Sequence, residues 1–426
     1  MARRSLMVAS LLVTLGALLP VTSASAAWTP YFNVAKATDQ SHVVSPRVAV
    51  APDGAAVFLW NRSGALQTRV RNPDGSLGSP QAITPPDTVG GPGDGWKLAV
   101  NSQGNAFYVW IDLGDFYTDP AGGDYYIRGR VRHANGTLGP VQTLATARGD
   151  SSLGRVQVGT DDAGRAVFSW VRRLPDGTRI VQARSRSAAG TLSPTINVGS
   201  ASEPQMAVAS DGRAFFSWRS RSGAVLARVM GTAGSLTSIQ QISASGFDPQ
   251  VVTGGGGALY LWVNPGDDQT QARVMARQRL PGGSLTSPQL IAQGGTLFLS
   301  TQGNVAMAPD GTAAFCWVRA GSGAEGRIRL SSGTLGPIEN IGGDVCQVGI
   351  DTSGDAVFAG SVNLGEKRRI FARTQPAGGA LSSLRLLSPA GYNAYLGGVA
   401  VNGTGDAAVV WQQGFRGFAI QGAFGP

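Results

Sequence analysis

The densest group of side chains able to bind a ligand lies in the segment 111–126, where carboxylates alternate with aromatic rings. A tyrosine ring can stack on a sugar, and an aspartate can accept hydrogen bonds from sugar hydroxyl groups. Clustered carboxylates can also bind calcium, although the spacing here differs from that of an EF-hand loop. A solvated surface loop without a ligand is the alternative. The candidate binding residues are Asp112, Asp115, Tyr117, Asp119, Asp124 and Tyr125.

Groups suited to catalysis are sparse in the rest of the sequence. The two histidines, His42 and His133, stand in unrelated positions. A Ser-His-Asp system needs a histidine base, and a zinc site needs three or four converging ligands. Most acidic residues fall in repeated turns, for example Asp53 and Asp211. We therefore expect no catalytic residue, no metal site and no cofactor; a glycan hydrolase or lyase is the enzymatic alternative.

Cys316 and Cys346 are the only cysteines in the chain. Both fall at the same end of adjacent sequence repeats. In a secreted protein, two such cysteines pair more often than they act as nucleophiles. We expect a disulfide between them, and two buried free thiols are the alternative.

One spaced pattern, Gly-x-Ala-x-x-x-Trp, recurs eight times and predicts a single supersecondary unit copied around an axis or along a line. Gly360 stands in the seventh copy at the position of the tryptophan. The glycines that begin the pattern are Gly54, Gly104, Gly164, Gly212, Gly256, Gly311, Gly354 and Gly405. The tryptophans are Trp60, Trp110, Trp170, Trp218, Trp262, Trp317 and Trp411.

A second pattern follows each of the first seven copies: an arginine, a glycine six residues later and a leucine two further on. The arginines are Arg69, Arg130, Arg184, Arg228, Arg277, Arg327 and Arg373. Each unit then reads as four short strands separated by tight turns. The matched arginines and tryptophans allow two interpretations. Guanidinium groups can stack on indoles as part of the scaffold, or each pair of units can form a sugar pocket, which would make a multivalent lectin.

The second strand of each unit is apolar on both faces, as Phe58 and Leu59 illustrate, which predicts burial between two neighbouring sheets. Four-stranded sheets of this kind are the blades of a β-propeller. The last unit lacks a fourth strand, and Trp28–Val34 aligns residue for residue with the fourth strand Leu138–Leu144. The sequence therefore predicts an all-β, eight-bladed propeller of four-stranded antiparallel blades over residues 27–426, with the ring closed by the N-terminal strand.

These residues resemble a family of secreted actinobacterial repeat proteins that carry V-x-V-x-x-D-G-x-A-x-x-x-W followed by Q-x-R-x-R. The resemblance covers essentially all of residues 28–426. It implies a propeller of the general WD-repeat type, with the same closure by an N-terminal strand. The family has no established biochemical activity, so the resemblance implies the fold and leaves the ligand open.

Connection lengths differ between the two faces of the predicted disc. The turns from first to second strand and from third to fourth strand are short and share one face, which we call the short-turn face. The remaining connections share the opposite face, the long-loop face, and hold every long insertion. Because loops carry most binding functions, we expect function on the long-loop face. The insertions are 84–97, 111–126, 171–178, 264–270 and 388–398.

Residues 1–26 have the features of a secretion signal: the basic pair Arg3 and Arg4, an apolar core and an Ala-Ser-Ala cleavage site. No other apolar run approaches the ~18 residues that a membrane span needs. The net charge of +9 falls to +7 without the two leader arginines. Because all but three of the basic residues are arginines, and many of these fall at repeated positions, we assign the excess to the scaffold and expect no nucleic-acid partner.

The leading hypothesis from the sequence is a secreted, monomeric, non-catalytic binding or scaffold module. It would engage a protein or a cell-wall glycan through the long-loop face. The multivalent lectin is the alternative within the binding class.

Overall fold

The fold is described by a computed structural model that covers most of the chain after the proposed signal. The described residues are 27–38, 41–86, 88, 95–114, 124–149, 151–200, 202–266, 271–299 and 303–426. The proposed signal 1–26 lies outside them. Within these ranges the secondary structure consists of β-strands arranged in eight antiparallel sheets, with no helix.

The first strand precedes three regular four-stranded blades and belongs to none of them. It is β1 (Phe32–Lys36). The first blade is β2 (Val43–Val50), β3 (Ala56–Arg62), β4 (Ala65–Arg71) and β5 (Gln81–Ala82). The second is β6 (Trp96–Val100), β7 (Ala106–Asp112), β8 (Tyr125–Arg132) and β9 (Gln142–Ala147). The third is β10 (Ser152–Thr160), β11 (Ala166–Arg173), β12 (Arg179–Arg186) and β13 (Ile196–Ser200).

The next two blades repeat this order. The fourth blade is β14 (Ser202–Val208), β15 (Ala214–Arg219), β16 (Val225–Met230) and β17 (Gln240–Ser243). The fifth is β18 (Phe247–Gly254), β19 (Gly257–Asn264), β20 (Arg273–Arg279) and β21 (Gln289–Gln293).

The sixth blade has its innermost strand in two pieces, both paired with the same neighbour. It is β22 (Leu297–Phe298), β23 (Val305–Met307), β24 (Ala313–Arg319), β25 (Gly323–Arg329) and β26 (Glu339–Asn340). The seventh blade is β27 (Val345–Ile350), β28 (Ala356–Leu364), β29 (Lys367–Gln375) and β30 (Arg385–Leu386). The eighth contributes β31 (Ala394–Val401), β32 (Ala407–Gln413) and β33 (Ala419–Gly425).

Closure of the ring follows the sequence prediction. β1 pairs antiparallel with β33, with Phe32 opposite Gly422, and completes the eighth blade. The backbone N–H of Thr29 extends this contact by donating to the carbonyl of Phe424 at 2.8 Å. Trp28 is 9% exposed and packs between the seventh and eighth blades.

The core lies between blades rather than within one central mass. The second strand of every blade is buried on both faces; β3, for example, is buried from Ala56 to Asn61. Each apolar cluster combines residues of two neighbouring blades, and the repeated tryptophans are almost completely buried within these clusters. Burying a large side chain contributes roughly 1.5–3 kcal/mol, so eight equivalent layers hold the ring together.

Candidate functional site

The repeated tryptophan–arginine pairs belong to the scaffold. Arg69 lies opposite Phe58, whereas Trp60 lies opposite Gln67, so the predicted stacking of guanidinium on indole is wrong. Instead, Arg69 Nε donates to the carbonyl of Gly78 at 2.6 Å, and Nη1 donates to the carbonyl of Val34 at 3.0 Å. The second carbonyl belongs to the fourth strand of the preceding blade, so the arginine joins two blades.

The same bridge recurs in every copy of the second pattern, from Arg130 to Arg373. The indole faces are buried and the guanidinium groups already bind backbone carbonyls. A sugar therefore has no exposed aromatic surface at these positions, which disfavours a lectin built on repeated pockets between blades.

A second row of arginines makes a further bridge between blades. Arg132 Nε donates to Oε1 of Gln81 on the preceding blade at 2.7 Å, and Gln81 Nε2 donates to the carbonyl of Gly136 at 2.8 Å. The same arrangement joins Arg186 to Gln142, Arg279 to Gln240, and Arg329 to Gln289. Between the third and fourth blades, Ile196 and Met230 replace this polar pair and pack in one apolar cluster.

The described part of the segment 111–126 is held by contacts within the protein. Asp112 is buried and accepts hydrogen bonds from Arg128 Nε at 2.5 Å and from the backbone N–H of Gly114 at 2.9 Å. Asp124 accepts hydrogen bonds from the hydroxyl of Tyr126 at 2.7 Å and from Arg148 Nε at 3.1 Å. The hydrogen bond to Asp124 raises the pKa of the Tyr126 hydroxyl.

Tyr125 is half-buried and packs against the apolar cluster between the second and third blades. The connection between β7 and β8 is shorter than the predicted loop 111–126, because β7 continues to Asp112 and β8 begins at Tyr125. Asp115, Tyr117 and Asp119 lie outside the described residues. The two strands thus bring Asp112, Asp124 and Tyr125 to the base of the connection.

A ring of polar side chains on the innermost strands surrounds the axis of the propeller. Lys97, Gln157, Gln205 and Gln250 line a cavity of about 200 Å³ there, which we call the central channel. The sequence patterns did not predict this ring. Its members share one register position on the innermost strands: Arg47, Lys97, Gln157, Gln205, Gln250, Asn304 and Gln347. Gly398 holds the eighth position. Some of these side chains bind one another, as when Gln250 Nε2 donates to Asn304 Oδ1 at 2.9 Å. A spacing of six or seven residues before each turn glycine was the available signal.

The channel mouth on the long-loop face carries a pair of carboxylates on adjacent blades. Glu203 and Asp248 both lie at β-bulges with φ of 54° and 51°, in the left-handed region that non-glycine residues rarely adopt. The backbone N–H of Asp248 donates to Glu203 Oε2 at 3.2 Å, and Arg219 Nη1 lies 3.9 Å from Glu203 Oε1. Burial, and secondarily the charge of Glu203, raises the pKa of Asp248.

A cleft opens on the long-loop face between the third and fourth blades. It consists of two adjoining cavities of about 660 and 250 Å³ that share Arg179 and Ser202. Its walls are formed by the β11–β12 hairpin, the first residues of β10, Ser200 and Ser202 at the passage from β13 to β14, and the β15–β16 connection. Its lining residues are Ser152, Leu153, Gly154, Arg155, Val171, Arg173, Asp176, Gly177, Thr178, Arg179, Ser200, Ser202 and Arg221.

The size and chemistry of this cleft suit a ligand with many hydroxyl groups. A volume of about 660 Å³ lies in the range typical of small-molecule sites. Serine and threonine hydroxyls lie beside exposed arginines. Two smaller cavities, of about 240 and 320 Å³, lie toward the short-turn face. The larger opening is therefore on the face where the sequence predicted function.

The predicted disulfide is present. Cys316 on β24 and Cys346 on β27 are buried and bonded, which joins the sixth and seventh blades covalently. In the part of the chain that the structure covers, no group of three or more His, Cys, Asp or Glu residues is placed to hold a metal ion. The described residues also contain no helix that could span a membrane.

The arrangement of strands defines an eight-bladed β-propeller. The chain is also similar to several solved structures. The β-propeller domain of the Trilobed protease from Pyrococcus furiosus aligns with 77% of this chain and 92% of its own, at TM-score 0.48 and 7% identity. The α-L-arabinofuranosidase Arb93A of Fusarium graminearum aligns over 93% and 97%, at TM-score 0.44 and 10% identity.

Penicillium chrysogenum α-L-arabinanase aligns over 72% of this chain and 99% of its own, at TM-score 0.40 and 12% identity. At these identities the likeness concerns the fold alone. No protein-family model and no curated protein sequence matches this chain.

Proposed function

We propose that this propeller is a secreted, non-catalytic binding module that engages a cell-wall glycan or a protein through its long-loop face. The observation that carries the proposal is the cleft between the third and fourth blades. It breaks the eightfold repeat with side chains that the scaffold does not use, notably Arg179 and Arg221. A specific ligand needs such an irregular surface, whereas the repeated tryptophans and arginines are occupied in joining blades.

The segment 111–126 belongs to the same proposal. Arg128 and Arg148 hold Asp112 and Asp124 at the base of this connection, on the face that carries the cleft. We propose that Asp112, Asp124 and Tyr125 form a neighbouring part of the ligand surface, and that Asp115, Tyr117 and Asp119, which lie outside the described residues, contribute to the same function. Secretion is supported by the disulfide, which persists in oxidising compartments, and fits the leader-like residues 1–26 and the resemblance to secreted repeat proteins.

The test is affinity electrophoresis through gels that contain one soluble cell-wall polysaccharide each. The wild-type protein should be retarded by at least one polymer. Thr178→Trp fills the cleft from the exposed hairpin tip and should abolish the retardation. Thr137→Trp is the matched control, because Thr137 is an exposed turn threonine on the short-turn face with a similar hydrogen bond to a turn side chain. Retardation that survives Thr178→Trp would refute the site.

A second candidate function is glycan hydrolysis at the channel mouth, and the Glu203–Asp248 pair is the observation that favours it. Most glycoside hydrolases use a pair of carboxyl groups, one of which has a raised pKa and acts as the general acid, and the pKa of Asp248 is raised beside Glu203. Glu203 is, however, already bound to Arg219 and to the backbone of Asp248. Release of reducing ends from a bound polymer, lost in both Glu203→Gln and Asp248→Asn, would support this candidate over binding alone.

A further inference from the structure

Most arginines of this propeller have a partner within the protein, and the exceptions are concentrated in one place. Among the described arginines, seven have no hydrogen-bond, ion-pair or ring partner: Arg155, Arg173, Arg179, Arg221, Arg273, Arg385 and Arg416. Four of the seven line the cleft between the third and fourth blades. All four are exposed, so their guanidinium groups are available to a ligand.

We propose that the cleft binds an anionic polysaccharide whose carboxylate or sulfate groups contact Arg155, Arg173, Arg179 and Arg221. This inference rests on the proposed function of the cleft and names the class of its ligand. A guanidinium group presents several N–H donors in a fixed plane and can bind an oxyanion through two parallel hydrogen bonds.

The charge balance of the cleft favours an anion. Among the described residues that line the cleft, Asp176 is the one carboxylate, and it already accepts a hydrogen bond from the backbone N–H of Thr178 at 2.8 Å. That hydrogen bond lowers the pKa of Asp176, which favours its charged form. One carboxylate leaves the excess of the four arginines uncompensated, and a bound polyanion would neutralise it.

The remaining lining favours a sugar over a nucleic acid. Single-stranded nucleic acids are bound by grooves whose aromatic side chains stack on the bases. The lining residues that the structure describes include no aromatic side chain. Ser152, Ser200, Ser202 and Thr178 instead offer hydroxyl groups that can exchange hydrogen bonds with those of a sugar.

The length of the cleft favours a polymer over a single sugar. The larger cavity begins at the hairpin tip near Asp176, and the smaller one reaches Arg155 at the first strand of the third blade. Arg155 lies at a β-bulge with φ of 53°, equivalent to the positions of Glu203 and Asp248 at the channel mouth. The arginines are thus spread along the cleft, as repeated charges along a chain require.

The experiment uses two pairs of polymers that differ only in charge. One pair is polygalacturonate and its fully methyl-esterified form, and the other is dextran sulfate and dextran; single-stranded oligothymidylate is the nucleic-acid arm. Binding is measured by affinity electrophoresis and titration calorimetry at several salt concentrations. The wild-type protein should bind a charged member at least about tenfold more tightly than its neutral partner, with affinity that falls as salt rises. The pair that responds identifies carboxylate or sulfate as the group recognised.

The decisive variants are two triple substitutions, each of which removes three positive charges. Arg173→Gln, Arg179→Gln and Arg221→Gln together should weaken binding to the charged polymer at least about tenfold. Arg273→Gln, Arg385→Gln and Arg416→Gln remove the same charge from exposed, unpartnered arginines outside the cleft and should change affinity less than about twofold. Equal losses in the two triples would show unspecific charge attraction and overturn the proposal.

Three further outcomes also overturn it. Equal binding of charged and neutral members, abolished by Thr178→Trp, would refute the anionic ligand and leave the proposed binding function intact. Binding of oligothymidylate as tight as that of the polysaccharide, and lost in the cleft triple, would assign a nucleic-acid ligand instead. Absence of binding to every polymer would count against both this inference and a glycan-binding function. Thermal melting of each variant confirms that the fold is retained.

Discussion

Gly360 and Phe371 lie opposite each other on β28 and β29, at the position where the other seven blades have a tryptophan on the second strand. Phe371 is fully buried and packs in the layer between the sixth and seventh blades. A Cβ atom on Gly360 would lie 2.6 Å from Phe371 Cζ and 2.5 Å from the carbonyl oxygen of Val345. The aromatic ring of this layer has therefore moved to the neighbouring strand, and the glycine makes room for it.

Gly360→Ala should destabilise the protein, because the methyl group meets backbone as well as a ring. Overpacking of this kind costs roughly 1–3 kcal/mol, and a contact with backbone places it toward the upper end. Chemical denaturation measures the change in the free energy of unfolding. Gly154→Ala is the control, because a Cβ atom there has no neighbour within 4 Å. Equal stability of the two variants would contradict this explanation of the missing tryptophan.

The apolar pair Ile196 and Met230 should be exchangeable for the glutamine–arginine bridge used at other blade boundaries. Ile196→Gln or Met230→Arg alone introduces a polar group opposite an apolar partner and should lower stability. The double variant should recover much of the loss, because it recreates the hydrogen bond seen between Gln142 and Arg186 at 2.9 Å. A double-mutant cycle should give a favourable coupling of roughly 0.5–3 kcal/mol. Purely additive losses would show that the two positions do not act as a pair.

Deletion of residues 27–35 should open the eighth blade. It removes Trp28 and Val34 from the core, each worth roughly 1.5–3 kcal/mol, and exposes the edge of β33. The shortened protein should melt at a lower temperature and aggregate in size-exclusion chromatography. A variant that begins at Ala27 is the control, and a synthetic peptide of residues 27–38 should restore the melting temperature when added in trans. An unchanged, monomeric deletion variant would contradict closure by β1.

Cys316 and Cys346 should be oxidised in protein harvested from the culture medium. The bond joins residues 30 apart in sequence, and loops of this size typically contribute roughly 2–4 kcal/mol. Intact mass measured with a thiol-alkylating reagent, before and after reduction, reports the oxidation state. The double variant Cys316→Ala, Cys346→Ala should unfold at a lower denaturant concentration, and reduction should change the wild type but not this variant.

Asp248→Asn should stabilise the protein at neutral pH by an amount that decreases as the pH falls. The folded state raises the pKa of Asp248 above its ordinary value of 3.8, so the folded protein holds this proton where the unfolded chain has lost it. Wild-type stability therefore increases as the pH falls through the raised pKa, and the increase is complete below the ordinary value. Asparagine has no charge to bury at any pH, so its advantage should shrink over the same interval.

Thermal melting between neutral pH and pH of about 4 measures this difference. Glu203→Gln supplies the control, because the carboxylate of Glu203 is the second cause of the raised pKa. In that background the pH-dependent part of the Asp248→Asn effect should be smaller. A stabilisation that stays constant with pH would instead reflect the preference of asparagine for a positive φ, and would contradict the raised pKa.

The repeated features of this protein were predictable because the same residue pattern occurs at aligned positions in eight copies. The blade, the buried tryptophans, the closing strand and the cysteine pair all follow from aligned positions. The bonding of Arg69 did not follow, because the pairing register decides whether a guanidinium faces an indole or a carbonyl. The cleft was missed for a different reason. Arg155 lies on β10, Arg179 begins β12 and Arg221 lies in the β15–β16 connection. No periodicity of the sequence places such unrepeated side chains beside one another.

The pairing of β1 with β33 also determines which face of the propeller points outward when the protein is attached to a surface through either end of the chain. Trp28 lies against Gly425, and Gly425 pairs with Ala407 just after a turn of the short-turn face. Both described ends of the chain therefore leave the disc on the side away from Arg179. A surface or fusion partner attached through either end would contact the short-turn face and leave the long-loop face pointing outward. When the protein is immobilised in this way, its cleft faces the solution without further engineering.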